Sequence, residues 1–236
     1  MANVDASVVV PARNERRCLE QTLESLSAQT FDGRLEIVVV ASDSKTVRTA
    51  REHPVVDRVR VDDKRAGPGP ARNMGVAASS GDVLLFTDAD TVVPPTWVRR
   101  HCRHYVTPAV VGVGGPLRPL EDAFRHRACF RVLSDWWYRA CWPLGFVQQP
   151  GCNCSIRRSA FETIGGFDGS LRFLEDTDIS LRLRHTGTVV YDHTCPVETS
   201  ARRQERIGYG RLLWTYLVGY LEYTLPNRSP SRNYFR

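Results

Sequence analysis

The chain has 236 residues, 42% of them hydrophobic and 25% charged. That suffices for one large α/β domain or two small ones, and it is too apolar and too mixed in charge for a disordered chain. The formal charge is +6, and all but two of the 32 cationic side chains are arginine, the exceptions being Lys45 and Lys64. Arginine's planar fork suits phosphate and carboxylate, although an arginine-rich genome gives the same bias. No basic run interleaves with aromatic residues as a nucleic-acid groove requires, so nucleic acid is not an expected partner. The longest uncharged apolar run, residues 212–221, is about half of the ~20 residues that cross a bilayer. The start, Met1-Ala2-Asn3-Val4-Asp5, lacks the basic flank of a secretory signal. Seven cysteines is an odd count, and the Cys152-Asn153-Cys154 spacing is not that of a zinc knuckle. The expectation is a cytoplasmic domain with reduced thiols.

In chain order, residues 8–11, 35–41, 55–61 and 83–87 read as buried strands: short, valine-rich and bounded by Gly, Asp or Pro. Between them, residues 15–28 and 45–52 show helical spacing, with Leu19, Leu23 and Leu26 on one stripe. A short helix over 71–79 follows Gly67-Pro68-Gly69-Pro70. Strand–helix alternation predicts right-handed crossovers and a largely parallel sheet. Further on, residues 94–106 read as a helix and 110–115 as a strand. An aromatic and arginine-rich stretch covers 124–146, with Trp136, Trp137, Tyr138 and Trp142. Residues 153–157 and 188–191 read as strands, and 158–164, 177–185 and 207–225 as helices, the first stopped by Gly165-Gly166. One domain is expected, with its functional face built from both halves.

In open α/β sheets ligands bind at the carboxyl ends of the strands, so those loops carry the chemistry. The first strand ends in Pro11-Ala12-Arg13-Asn14-Glu15, the second in Ser42-Asp43-Ser44, and the fourth in Asp88-Ala89-Asp90. Two carboxylates one residue apart at the mouth of a buried strand concentrate charge that calls for a cation. Hard oxygens of this kind suit Mg²⁺ or Mn²⁺; a plain surface turn is the alternative. Asp43 fits either a ribose contact or the N-cap of the next helix. Arg72 and Asn73 stand within reach of a diphosphate or in a solvated turn. Glu175, Asp176 and Asp178 gather at a helix start, as caps or, for one of them, as a general base.

Together these segments resemble the family 2 glycosyltransferases of the GT-A fold. The resemblance rests on Val8-Val9-Val10-Pro11-Ala12-Arg13-Asn14-Glu15, Asp43, Ala71-Arg72-Asn73-Met74-Gly75, Asp88-Ala89-Asp90 and Gly165-Gly166-Phe167-Asp168 with Glu175-Asp176-Thr177-Asp178. It covers roughly residues 5–205. It implies a Rossmann-like, mostly parallel central sheet flanked by helices. It also implies a nucleotide-sugar-binding half (1–115), an acceptor and catalytic half (116–205), and a C-terminal aromatic helix and tail (206–236). The implied activity is inverting, metal-dependent transfer of a sugar from a nucleoside-diphosphate donor to a hydroxyl of a glycan, lipid-linked or small acceptor. Pro11, Arg13, Glu15 and Asp43 would then hold base and ribose, and Arg72 the phosphates or ribose. Asp88 and Ala89 would lie along ribose and sugar. Asp90, with Asp88 beside it, would bind Mn²⁺ or Mg²⁺. Asp176 falls at the base position, and Glu175 touches acceptor or donor sugar.

One departure stands out. Relatives often carry a metal-ligating His on the strand after the base helix, but here Thr199 or Ser200 occupies that position and His193 precedes it, so His193 is left out of the site. Trp136 and Trp137 are candidates for an acceptor platform, with core packing as the other reading. Leu212 to Tyr223, with arginines beside them, suggest an interfacial helix on the inner membrane face, a homodimer contact, or packing on the domain. Two rival activities remain. A sugar-phosphate nucleotidyltransferase would carry a glycine-rich loop after the first strand. A non-catalytic binding module would tolerate loss of the carboxylates.

Overall fold

A computed structural model describes residues 5–65, 67–121, 123–136, 149–171 and 173–224. A seven-stranded sheet runs in the order β3-β2-β1-β4-β8-β6-β9. Its strands are β1 (Ala6–Ala12), β2 (Leu35–Ala41), β3 (Arg58–Val61), β4 (Val83–Phe86), β6 (Val110–Gly114), β8 (Cys154–Arg157) and β9 (Thr188–Tyr191). The first four are mutually parallel, and β6 and β9 are parallel to each other. Strand β8 lies antiparallel to both neighbours and joins the two groups. A smaller sheet, β5-β10-β7, pairs β5 (Thr91–Val92), β10 (Val197–Thr199) and β7 (Leu117–Pro119).

The alternation of β1 explains the layering. Val8 and Val10 point into a core shared with Leu19, Leu23 and Leu26 of helix α1 (Arg16–Ser27). Val9 points to the other face, among Leu84, Phe86, Ile156, Phe161, Ile179 and Leu183. With both faces covered, a continuous valine run is the stable choice for a central strand. Each such side chain contributes about 1.5–3 kcal/mol on burial. Helix α2 (Ser44–Glu52) follows β2, and α3 (Pro68–Ala77) follows β3. At α3 a Cβ on Gly75 would stand 2.3 Å from Val9 Cγ1, so only glycine lets this helix lie so close to the sheet.

The remaining described helices are α4 (Trp97–Cys102), which continues as a 3-10 turn over Arg103–Val106, and α5 (Phe124–Phe130), which passes into a π-helical segment, Arg131–Trp136. After them come α6 (Arg158–Thr163), α7 (Glu175–Leu183), α8 (Arg202–Ile207) and α9 (Tyr209–Thr224). Behind β8, Trp97 Nε1 donates to Asn153 Oδ1 at 2.8 Å. His101 joins the same oxygen and Ser155 Oγ, and Tyr105 also bonds Ser155. Burial lowers the His101 imidazole to about 4, so it stays neutral inside this network.

Several expected boundaries move: the strand predicted over 55–61 begins at Arg58, and the helices predicted over 71–79 and 94–106 begin at Pro68 and Trp97. The helix predicted over 177–185 begins two residues earlier, so Glu175 and Asp176 lie inside its first turn rather than ahead of it. Leu174, buried and at φ 62°, turns the chain into it from a conformation that a branched residue adopts only at a cost. The helix predicted over 207–225 runs over Tyr209–Thr224, and Gly208, at φ 85°, separates it from the short α8 that the sequence did not indicate.

Candidate active site

In-register pairing sets the site. Ala6 lies opposite both Leu35 and Val83, so β1, β2 and β4 deliver their following loops to one rim. Pro11 and Ala12 close β1. Beyond them Arg13 is exposed, and Asn14 takes a left-handed φ of 55°. The Asn14 amide donates to Asp43 Oδ2 at 2.8 Å, and Asp43 Oδ1 accepts from Thr46 N at 3.0 Å. Burial would raise the Asp43 carboxyl, but these amides outweigh it and hold the group below the usual range. Asp43 is therefore the N-cap of α2, one of the two readings its sequence position left open.

Arg72 occupies the centre. Its side chain is 2% exposed and reaches Asp88 Oδ1 through Nη2 and Glu175 Oε1 through Nη1, both at 2.9 Å. The guanidinium also lies over the Phe167 ring and against Gly151, where a Cβ would come within 2.8 Å of Nη2. Burial opposes its charge, and Asp88 and Glu175 more than restore it, keeping the group firmly protonated. Its Nε has no hydrogen-bond partner among the described residues. Asn73, expected near a diphosphate, instead spends its amide on Phe167: Nδ2 donates to the carbonyl at 2.7 Å and Oδ1 accepts from the amide at 2.9 Å. That clamp, with Gly165 and Gly166 at φ 75° and 72°, carries the chain round toward α7.

Asp176 is half-buried in the first turn of α7. It accepts from Gly151 N at 3.2 Å and from Thr177 N at 2.8 Å. Burial, and then the neighbouring Glu175 carboxylate, push its carboxyl up to about 7 against the pull of Arg72 and the two amides. Asp178, the third acid of the run, is structural: it binds Arg182 and accepts from Tyr223 of α9 at 2.9 Å.

Ala89 is buried, while Asp88 and Asp90 keep 35% and 24% of their side chains exposed. Among the described residues no group of three or more His, Cys, Asp or Glu side chains converges as a metal cage. Two partly exposed carboxylates at a strand mouth, ringed by arginine, fit a hard divalent ion that fills its remaining positions with water and phosphate oxygens. The second sheet brings up a residue absent from the sequence-based set. β10 pairs with β5 directly after Asp90, and Ser200 N donates to Asp90 O at 3.2 Å. Arg202 thereby reaches Glu15 Oε2 at 2.7 Å and Asp90 Oδ2 at 3.6 Å. Thr199 is buried and bonded to Thr91 at 3.1 Å, and the exposed His193 packs its ring against Tyr191. Trp136 closes the π-helical segment, and Trp137, Tyr138 and Trp142 lie outside the described residues.

The mostly parallel sheet, with paired carboxylates, a buried arginine and an acidic helix start at its strand mouths, has the architecture of the GT-A fold. The sequence model of "Glycosyl transferase family 2" matches residues 7–165, and the chain belongs to that family. Among curated relatives it is 29% identical over 204 residues to a probable glycosyltransferase, YdaM, of Bacillus subtilis, covering 77% of this chain and 47% of that protein. It is also 29% identical over 175 residues to the glucosyl-dolichyl phosphate glucuronosyltransferase of Haloferax volcanii, covering 69% of this chain and 55% of that protein. The chain thus spans about half the length of these relatives. Among solved structures, the mannosyltransferase PcManGT of Pyrobaculum calidifontis in complex with GDP-Man and Mn²⁺ aligns with a TM-score of 0.68 at 20% identity, over 89% of this chain and 59% of that one. TarS of S. aureus aligns with a TM-score of 0.66 at 15% identity, over 95% of this chain and 41% of that one.

Proposed function

We propose that the chain transfers a sugar from a nucleoside-diphosphate-sugar to an acceptor hydroxyl with inversion at the anomeric carbon. The observation that carries this reading is the double ion pair of Arg72, which ties the Asp88 loop to the first turn of α7; that closeness supports giving the first carboxylate to the donor side and the second to the acceptor side. Asp88 and Asp90 would hold Mn²⁺ or Mg²⁺, which supplies charge neutralisation on the departing diphosphate when bound. Pro11, Arg13, Glu15 and Asp43 rim the pocket for base and ribose. Arg72 balances the carboxylates on either side of the cleft, and Glu175 holds it from the acceptor side. Asp176 acts as the base: a carboxyl raised toward neutrality takes a hydroxyl proton far better than an ordinary aspartate.

The acceptor in this reading is lipid-linked. Two observations favour it: a dolichyl phosphate substrate in the name of one relative, and the outer face of α9. That helix packs on the catalytic segment through Tyr216 against Phe173, Tyr220 to Thr177 and Tyr223 to Asp178. It turns Leu213, Trp214, Leu217 and Leu221 outward, each at least 45% exposed, with the exposed Arg211 beside them. Such a stripe suits an anionic membrane surface.

A thermal-shift series with UDP-, GDP- and dTDP-sugars tests the donor assignment. One of these sugars plus Mn²⁺ is expected to raise Tm in the wild type, because ligand binding stabilises the native state. Asp90→Ala is expected to lose the metal-dependent part of that shift. No shift with any donor, or a shift equally metal-responsive in Asp90→Ala, refutes the assignment.

A further inference from the structure

Arg202 stands where the donor-site reading leaves a gap. Its guanidinium is held at three points: Nε donates to Ser200 Oγ at 3.1 Å, and Nη2 meets Glu15 at 2.7 Å and Asp90 at 3.6 Å. The turn that presents it is pinned. Glu121 accepts from Ser200 Oγ and from Ala201 N, both at 2.7 Å, and Ser200 N bonds the Asp90 carbonyl. Each carboxylate of Asp88-Ala89-Asp90 therefore already faces an arginine, but the two arginines differ. Arg72 is buried and paired on both sides, whereas Arg202 is 52% exposed and its contact with Asp90 is the longer one. Only Arg202 is able to swing without dismantling the core.

We infer that Arg202 is a resident counter-cation of Asp90, that it competes with a divalent ion for that carboxylate, and that a nucleotide's diphosphate resolves the competition by accepting the guanidinium. The inference rests on the donor-site reading above and extends it. A divalent cation brought alone beside Asp90 meets like charge from Arg202. A diphosphate brought with it offers paired oxygens that the planar guanidinium fork grips with two hydrogen bonds. Metal and nucleotide then favour each other's binding, and by linkage the effect is the same in either order of addition. Arg202 is a positioning residue in this scheme; it changes no bond in the transfer.

The test is a Mn²⁺ titration of the full chain, followed by the paramagnetic resonance of free Mn²⁺, with and without UDP or GDP. In the wild type, Mn²⁺ alone binds weakly and the diphosphate tightens it. In Arg202→Gln, Mn²⁺ alone binds about fivefold tighter, the scale of one partly exposed charge contact, and the tightening by nucleotide shrinks correspondingly. Unchanged metal-only affinity in Arg202→Gln overturns the inference while leaving the donor-site reading intact, as does a wild type in which metal and nucleotide bind independently. Adding Asp90→Ala separates the remaining case. If the tightened binding survives in the double variant, the ion sits elsewhere, and both the inference and the donor-site reading fall.

Discussion

Asp176 combines two demands on one side chain. Its place in the first turn of α7 and its amide donors favour the carboxylate, yet burial and Glu175 push the group up to about 7. For catalysis the sign is simple: transfer is expected to rise with pH through about 7 as the base ionises, then level off. Asp176→Asn should keep nucleotide binding and lower transfer by a factor of about 10² to 10⁴ with no such rise; equal loss of binding and transfer removes Asp176 from the base role. For stability the sign is opposite. A native carboxyl that holds its proton above the unfolded value of 3.8 costs stability progressively as pH climbs from about 4 to 7. Chemical denaturation across that range should show a steeper fall for wild type than for Asp176→Asn, and parallel slopes would contradict the raised carboxyl. The acidic run itself was legible in the sequence. Arg202 was not, because what joins it to Asp90 is a three-residue strand pairing across more than a hundred residues.

At the scale of elements, β1, β2, β4 and β9 were readable to within about two residues because each is buried enough for unbroken apolar runs to mark it. Strands β5, β7 and β10 escaped for the converse reason. At two or three residues each they are too short for any periodicity, and the pairing that defines them is wholly tertiary. The short α8 ahead of Gly208 was missed because its six residues, Arg202–Ile207, are mostly charged and carry no apolar periodicity. Helix α2 offers a test of how one residue serves element and site together. Asp43→Ala should destabilise the protein by about 1 kcal/mol through loss of the cap. Asp43→Ser, which restores a capping oxygen, should recover most of the Tm but not the affinity for a nucleoside diphosphate. Full recovery of both would reduce Asp43 to a cap alone.

Across the whole molecule, no helix among the described residues is long and apolar enough to cross a membrane. On the lipid-linked reading proposed above, the outer face of α9 is the surface that would meet a bilayer. The intact chain is expected to sediment with anionic vesicles, with a blue shift in tryptophan emission, and Trp214→Ser should release it; Trp214 is 60% exposed, so the change leaves the core untouched. Failure of the intact chain to sediment, or a Trp214→Ser effect confined to self-association, would point to a second copy as the occupant of that face. The parallel half of the main sheet was legible from strand–helix alternation, whereas the place of β8 was not, since its four residues carry no mark of direction.

The position of β8 also governs how the chain can assemble. Strands β1 to β4 form one parallel group and β6 with β9 another, and within the main sheet residues 154–157 join them by lying antiparallel between the two. A chain released only through its first 150 residues would therefore carry unpaired strand edges on β4 and on both sides of β6, because β8 and β9 both come later. Pairing between strands so far apart in sequence is slow relative to local contacts, and a chain stalled short of β8 would expose edges open to pairing with its neighbours.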